Sequence, residues 1–294
     1  MVSEGLLPPV YAARVTYEVS EQVAGVGGGP VWDVRRTAET TSTNADLLAL
    51  ARSGAPEGIV LVADHQTAGR GRLDRSWEAP PGGSLLLSIL TRPSAPPRSL
   101  ALDQLHLVSN AVGVAAAVAA RRVAGVEVGL KWPNDLVIDT VAGIRKVSGI
   151  LAETVLVDGR ADALVVGIGI NVNWPAELPP ELADIAIALN HAAGHDLDRD
   201  VLLLALLDEL GRTYAALAAP DGRAALLGEY RSLSATIGSR VRVELSGETL
   251  VGDAIDISTD GHLLVVDDCP DRPREIIAGD VVHLRPHDGP PDPA

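Results

Sequence analysis

Residues 126–171 read VEVGLKWPNDLVIDTVAGIRKVSGILAETVLVDGRADALVVGIGIN, and this stretch decides the fold. Apolar runs of strand length recur along it and are separated by Gly, Pro or Asp, which predicts consecutive β-strands rather than helices. The predicted strands cover residues 126–130, 135–138, 148–157 and 163–170. A sheet is therefore expected to dominate this part of the chain.

Helical patterns alternate with further strands on both sides of this stretch. Strands are predicted at residues 59–63 and 84–90, and helices at 100–123 and 201–217. Another helix is predicted to begin near Thr43, because Asp46 follows three residues later and can support the helix N-terminus. The helix at 100–123 is long, Ala-rich and free of proline, so we expect it to be buried. These elements predict an α+β fold, a mixed sheet with packed helices.

The character of the chain changes after Tyr230. Four short strands are predicted at residues 240–245, 250–257, 262–267 and 275–284, with tight turns at Ser246-Gly247 and Asp260-Gly261. They predict a small β-barrel. We therefore divide the chain into a flexible Gly-containing arm at residues 1–33, a large domain at 34–231, the barrel at 232–286 and a disordered Pro- and Asp-rich tail at 287–294.

The composition argues against several classes of protein. Lys and Arg total 24 against 39 Asp and Glu, and the net charge of −15 disfavours binding to nucleic acid. Cys269 is the single cysteine, which excludes an intrachain disulfide and is typical of a reducing compartment. No signal peptide is visible, and the longest apolar run, residues 111–120, is too short to span a bilayer. We expect a cytoplasmic globular protein without a DNA or membrane partner.

Two polar segments in the first third of the chain are candidate binding elements. Thr41-Ser42-Thr43-Asn44 stands at a helix start, where its side chains could cap the helix or hydrogen-bond a neutral polar ligand. Residues 66–77, QTAGRGRLDRSW, follow a strand and combine two glycines with Arg70, Arg72 and Arg75. Such a loop can be mobile, and its guanidinium groups suit carboxylate or phosphate oxygens. The alternatives are an exposed basic loop without a ligand or an RNA-contacting patch; the loop is not a P-loop.

Three further segments are equivocal when each is taken alone. Lys131-Trp132-Pro133-Asn134-Asp135 could direct polar side chains into a pocket or simply form a strand-entry turn. Lys146 leads an otherwise apolar strand, so its ammonium either reaches solvent or meets an anion. The glycines of Gly167-Ile168-Gly169-Ile170-Asn171 indicate close approach of a ligand or of another backbone, and their spacing is not that of a dinucleotide fingerprint.

The order and spacing of these segments resemble those of the biotin–protein ligase family, in its monofunctional form without an N-terminal DNA-binding domain. The resemblance covers residues 40–175 by motif, and the β-rich end resembles the SH3-like C-terminal domain of that family. It implies a catalytic domain of the class II synthetase type. It also implies that biotin and MgATP form biotinyl-5′-adenylate and pyrophosphate. The biotinyl group would then pass to a lysine of a biotin carboxyl carrier domain of acyl-CoA carboxylase.

The resemblance also implies roles for individual residues. Lys146 would lie at the reacting carboxylate and α-phosphate as a catalytic residue together with Arg72, and Asp135 is a candidate magnesium contact. Asn171 would shape the nucleotide end of the pocket. The residues expected around biotin and its adenylate are Ser42, Thr43, Asn44, Gln66, Arg70, Gly71, Arg72, Trp77 and Gly149, and those expected to organise the same pocket are Lys131, Asn134 and Asp135.

One departure from the family pattern and three alternative functions remain. Members often carry glycine where this chain has Asp74, which places an acid between Arg72 and Arg75 and puts the role of Arg75 in doubt. A lipoate or octanoate ligase of related fold is one alternative, although it would lack the loop that contains Arg70, Gly71 and Arg72. A biotin-sensing regulator is another, but the stretch before Thr41 is short for a winged helix. A non-catalytic binding protein is disfavoured because every motif position is filled.

Overall fold

The computed structural model describes residues 17, 19–24, 30–245, 247–267 and 272–283. Three features expected from the sequence lie outside the described residues, namely Ser246 of a predicted turn, Cys269 and the tail at 287–294. The described residues form a large sheet with helices on both faces and a second, smaller sheet. The predicted α+β fold is confirmed.

The large sheet has eight strands in the order β1-β2-β3-β4-β8-β7-β6-β5. The pair β2–β3 is parallel, and the other neighbouring pairs are antiparallel. The strands are β1 (Val19–Val23), β2 (Trp32–Thr40), β3 (Ile59–Gln66), β4 (Ser84–Thr91), β5 (Gly129–Lys131), β6 (Asp135–Thr140), β7 (Gly143–Val157) and β8 (Arg160–Asn171).

Both faces of this sheet are covered by helices. The helices are α1 (Thr43–Arg52), α2 (His106–Ala124), α3 (Pro180–Ala183), α4 (Leu189–Ala193), α5 (Arg199–Ala216) and α6 (Gly222–Leu233). Helices α2 and α5 pack with Val60 and Val62 of β3 in one core, and α1 packs with Ile59 and Leu61 in another. Strand β4 is buried at every position because it lies between these two layers. Burial on both faces explains its continuous apolar run.

Helix α2 is the centre of the larger core. Together with the short turn before it, at Leu102–Ala124, it is long and apolar enough to cross a membrane, with a mean hydropathy of 1.3. However, 72% of the most apolar part of this segment is buried inside the protein, so the segment is a core helix. Its many alanines allow sheet and helices to approach closely in a chain that contains no phenylalanine.

The large domain begins earlier than the predicted boundary at residue 34. Strand β1 pairs with β2 at the edge of the sheet, so residues 19–23 of the expected flexible arm are paired. Trp32 is fully buried, and its indole N–H donates to the carbonyl of Leu207. Both observations place the strand hairpin inside the large domain. The remaining domain limits stay predictions.

The small domain is an antiparallel sheet of five strands in the order β12-β11-β10-β9-β13. Its strands are β9 (Arg240–Leu245), β10 (Glu248–Ile257), β11 (Leu263–Asp267), β12 (Arg274–Ile276) and β13 (Asp280–His283). The single strand predicted at 275–284 is wrong. Strand β12 pairs with β11, whereas β13 pairs with β9 at the opposite edge, so the chain must turn between them.

Candidate active site

A small cavity of about 120 Å³ lies between strands β7 and β8 and the arginine loop, residues 67–77. The structure gathers most of the predicted site residues around it, namely Ser42, Thr43, Asn44, Gln66, Arg70, Gly71, Arg72, Trp77, Asn134, Asp135, Lys146 and Gly149. Segments far apart in sequence therefore meet in one place. The roles assigned to these residues stay predictions.

Lys131 and Asn171 line a second, larger cavity of about 830 Å³ rather than the first. The two cavities share four wall residues, Ser76, Trp77, Asp135 and Lys146. The larger cavity is also lined by Ser239, Arg240, Val282 and His283 of the small domain. Both domains thus contribute to a two-chambered site.

A chain of buried hydrogen bonds forms one wall of the small cavity. Thr43 N–H donates to Gln66 Oε1 at 2.8 Å, and the Thr43 and Ser88 hydroxyl oxygens are 2.7 Å apart. Ser88 donates to Asn44 Oδ1 at 2.5 Å, and the single hydroxyl proton of Thr43 has two acceptors in reach, Ser88 Oγ and, at 3.1 Å, Gln66 Oε1. Asn44 Nδ2 then donates to Glu153 Oε2 at 2.8 Å. This network fixes the side chains of Thr43, Asn44 and Gln66.

The start of helix α1 supplies the cavity with these side chains. Ser42 is the N-cap residue, and its hydroxyl accepts a hydrogen bond from Ala45 N–H at 3.4 Å. Capping was the alternative to ligand binding for this segment, but the structure shows that one does not exclude the other. Ser42 caps the helix and still lines the cavity.

The three loop arginines have different partners. Arg70 makes a bidentate pair with Glu153, at 3.0 and 2.6 Å. Arg72 donates to the neutral oxygens of Asn134, at 2.9 Å, and of Gly279, at 3.4 Å. Arg75 forms an ion pair with Asp280 of the small domain. The charge of Arg70 is therefore matched inside the site, while Arg72, 3.9 Å from Asp280, is less closely paired.

The loop turns at two residues with left-handed backbone conformation. Leu73 has φ +55° and Asp74 has φ +57°. Glycine adopts this region freely, whereas only Asp, Asn and His among other residues tolerate it well. Asp74 therefore keeps the turn that a glycine would make at this position, with more backbone restriction.

The Trp77 ring packs against strands β7 and β8 beside the site. A Cβ atom added at Gly169 would lie 2.6 Å from the Trp77 ring, and one at Gly149 would lie 3.0 Å from it. A Cβ at Gly167 would overlap the side-chain amide of Asn44. These glycines were expected to admit a ligand or another backbone. The side chains of Trp77, Asn44 and Lys146 lie close to them in the structure.

Lys146 stands at the junction of the two cavities. It is the fourth residue of β7 rather than its first. The pairing of β6 with β7 shifts register next to it, between Leu136 and Val137, and such a bulge re-aims side chains beside a site. The backbone N–H of Lys146 donates to the carbonyl of Ile185. The ammonium lies 2.7 Å from Asp135 Oδ1 and 5.4 Å from the centre of the Trp77 ring.

Lys131 and Lys146 are the only lysines in the sequence, and both line the larger cavity. Burial lowers the pKa of Lys131, and the Lys146 charge lowers it further, against the opposing effect of Asp135. Burial and the nearby Lys131 lower the pKa of His283 to about 4. His283 is therefore neutral near pH 7.

The low pKa of His283 predicts a loss of stability in mild acid. An unfolded histidine has a pKa near 6.5, so between about pH 6.5 and pH 4 the unfolded chain binds a proton that the folded chain rejects. The free energy of unfolding should fall as the pH drops through this window. Urea denaturation of His283→Gln at pH 7 and pH 5 should show a smaller fall than that of wild type. An equal decrease in the free energy of unfolding of both proteins would contradict this prediction. His195→Gln is the matched control, because His195 is exposed.

Asp280 ties the arginine loop to the small domain, and its removal should loosen that loop. Because exposed ion pairs contribute about 0–1 kcal/mol, Asp280→Asn should accelerate trypsin cleavage after Arg70, Arg72 or Arg75 by up to about fivefold. Glu248→Gln is the control, since it removes an ion pair with Arg274 inside the small domain. Equal cleavage of both variants would show that Asp280 does not restrain the loop.

Sequence reasoning did not assign Ser88, Glu153, Asp280 or His283 to the site. Ser88 is fully buried in a strand of apolar residues, and a polar residue there was the available signal. Glu153 lies in the stretch 126–171 quoted above, but no role was assigned to it. Asp280 and His283 lie in the other domain, and no local pattern marks them.

Comparisons with known proteins cover both domains. Residues 34–171 match the biotin/lipoate A/B protein ligase family, and residues 236–284 match the biotin protein ligase C-terminal domain. The biotin–[acetyl-CoA-carboxylase] ligase of Mycobacterium tuberculosis is 39% identical over 272 residues, which are 90% of this chain and 94% of that relative. The bifunctional ligase/repressor of Bacillus subtilis is 34% identical, over 76% of this chain and 66% of its own length.

The fold is also similar to a solved structure. The biotin protein ligase of Aquifex aeolicus in complex with biotin and ATP matches with a TM-score of 0.71 and 30% identity. The match covers 86% of this chain and 98% of that one.

Proposed function

Since the chain belongs to the biotin protein ligase family, we propose that it joins biotin to ATP as biotinyl-5′-adenylate and passes the biotinyl group to a protein lysine. One observation carries the proposal. Two cavities of different size meet at Lys146, and the small one contains the polar network while the large one is open to both domains. Biotin occupies the small cavity and ATP the large one.

The polar wall of the small cavity suits the ureido ring of biotin. That ring presents one carbonyl acceptor and two N–H donors, and it is neutral. Thr43, Asn44 and Gln66 offer amide and hydroxyl groups that the surrounding network holds in place. The dithiolane ring of lipoate has no comparable groups, so this wall favours biotin over the lipoate alternative.

Adenylate formation brings two anions together, the biotin carboxylate and the α-phosphate. Two unit charges about 4 Å apart repel by about 1 kcal/mol in water and about 4 kcal/mol near a protein surface. The Lys146 ammonium at the cavity junction and the Arg72 guanidinium neutralise this charge and hold both groups in line. The attacking nucleophile is the biotin carboxylate, so the protein supplies positioning and charge.

The large cavity has an apolar part that suits the adenine base. Trp174, Leu182, Ile185 and Ala186 line it. Asn171 is 2% exposed, its Nδ2 donates to the carbonyl of Ile187, and its Oδ1 has no partner. That free acceptor suits the exocyclic amine of adenine.

Magnesium accompanies the nucleotide in this proposal. Within the described parts of the chain, no three or more His, Cys, Asp or Glu side chains are placed to hold a metal. A magnesium ion that enters with ATP takes most of its ligands from phosphate and water. Asp135 lines both cavities, so its carboxylate is the protein group that would contact the ion, and its Oδ1 is at present paired with Lys146 at 2.7 Å. The ion adds positive charge at the phosphates.

The acceptor is the lysine of a biotin carboxyl carrier domain of acyl-CoA carboxylase, in the cytoplasm. Radiolabelled biotin, MgATP and such an apo carrier domain should yield a labelled carrier, and a carrier with arginine at the acceptor position is the control. Labelling with lipoate in place of biotin, or no labelling by the wild-type protein, would overturn the proposal.

A further inference from the structure

Glu153 connects two parts of the proposed biotin site, although it lines neither the small nor the large cavity. It lies on β7 two residues after Leu151, and alternate residues of a strand share a face, so its side chain lies on the same side of the sheet. Its carboxylate accepts hydrogen bonds from Asn44 at 2.8 Å and from Arg70 at 2.6 and 3.0 Å. A single carboxylate thus connects helix α1 to the arginine loop.

The contact with Asn44 fixes the orientation of an amide in the wall of the small cavity. The two N–H groups of Asn44 Nδ2 donate to the carbonyl of Leu151, at 3.2 Å, and to Glu153. Both partners are acceptors, so a rotated amide would turn its own oxygen toward two other oxygens. Asn44 Oδ1 accepts from Ser88 instead and keeps a second lone pair. Asn44 can therefore offer a ligand an acceptor but no donor.

The contact with Arg70 holds the base of the arginine loop. Arg70 is paired across the loop with Ser76, and Trp77 N–H donates to the carbonyl of Gly69 at 2.9 Å. A bidentate pair fixes a guanidinium group in one orientation. Because Glu153 offsets its charge, Arg70 is less available to an anionic ligand than Arg72, whose hydrogen bonds go to neutral oxygens.

We propose that Glu153 is a positioning residue for biotin. Through Arg70 it holds the arginine loop against β7, and through Asn44 it orients the amide that meets the biotin ring. The inference rests on the proposed ligase function. It assigns Arg70 to holding the loop and leaves Arg72 as the loop cation at the reacting anions. Recognition of the ring and order in the loop then depend on the same carboxylate.

Substitution of Glu153 should separate biotin recognition from the chemical step. For Glu153→Ala we expect the KM for biotin in ATP–pyrophosphate exchange to rise about 10- to 10²-fold, because charged hydrogen bonds to two site residues are lost. The value of kcat should stay within about threefold of wild type and the KM for ATP within about twofold, since Glu153 touches no reacting group. Glu153→Gln keeps an acceptor for Asn44 and should raise the KM for biotin only about three- to tenfold.

Variants of the two loop arginines test the division of roles between them. Arg70→Gln should behave like Glu153→Gln, and the double variant should be at most about twofold worse than either single one, since all three lack the same ion pair. Arg72→Gln should instead lower kcat about 10²-fold. Biotin should slow trypsin cleavage of the arginine loop in the wild-type protein and protect it much less in Glu153→Ala.

Glu229→Gln is the matched control, because it removes another bidentate pair, the one with Arg212 at 2.8 Å for both contacts. Glu229 lines neither cavity, so its substitution should leave both KM values and kcat unchanged. A wild-type KM for biotin in Glu153→Ala, or additive effects of Arg70→Gln and Glu153→Gln, would overturn the inference. Equal rises in the KM for biotin and for ATP would also overturn it, since they indicate a general structural role. If the wild-type protein shows no biotin-dependent exchange, the proposed function fails and this inference fails with it.

Discussion

Lys146→Ala is expected to reduce biotinyl-adenylate formation by about 10²- to 10³-fold, the usual effect of removing one positioned charge that stabilises a transition state. Lys146 lines both cavities, and the proposed function brings the carboxylate and the α-phosphate together at their junction. Its side chain is 38% exposed, so the pair with Asp135 contributes little to stability and the fold should remain intact. Release of labelled pyrophosphate from ATP in the presence of biotin measures the effect.

Arg145→Ala is the control for this prediction. It removes a neighbouring cation from the same strand, β7, but one whose nearest acid, Asp184, is 3.9 Å away. We expect this variant to keep near-normal activity. A Lys146→Ala protein that folds normally and releases pyrophosphate at the wild-type rate would exclude Lys146 from the chemistry.

Gly167→Ala is expected to weaken biotin binding by about 10²-fold and to destabilise the fold by roughly 1–3 kcal/mol. The added methyl group would overlap the amide of Asn44, which is 4% exposed and held by Ser88, Leu151 and Glu153. Asn44 would have to give up at least some of these hydrogen bonds, each of which contributes about 0.5–1.5 kcal/mol. Titration calorimetry with biotin and urea denaturation measure the two effects.

Gly228→Ala provides the comparison. Gly228 is exposed in helix α6, and a Cβ atom there would meet nothing within 4 Å. Alanine at that position should leave biotin affinity unchanged and raise the free energy of unfolding by up to about 1 kcal/mol. If both glycine substitutions behave alike, the tight contact between Gly167 and Asn44 has no role in binding.

The sequence predicted those parts of the fold whose signal is local. Strands β3, β4 and β8 were predicted because they are apolar runs buried in the sheet. Strand β2 was missed, since its sequence WDVRRTAET carries charged and polar residues and its stability comes from parallel pairing with β3. The break between β12 and β13 was missed for a similar reason, because it depends on which sheet edge each strand joins.

The order and spacing of the motifs predicted which residues would lie close together, but not how their side chains pair. The sequence indicated that Arg70 and Arg72 suit anions, but it could not show that Glu153 already neutralises Arg70. Nor could it place Asp280 beside Arg75, since 205 residues separate them and they lie in different domains. Long-range pairs of this kind are settled by packing, and they decide which cations are available to a ligand.

The scarcity of lysine limits how far the protein could be biotinylated by its own escaped intermediate. Acyl adenylates react with free amines, and an intermediate that escapes before transfer can modify any lysine it meets. This chain carries lysine only at positions 131 and 146, inside the chambers, and its other strongly basic side chains are guanidinium groups that stay protonated. Lysine side chains that escaped reagent could modify are therefore confined to Lys131 and Lys146, which both line the large cavity.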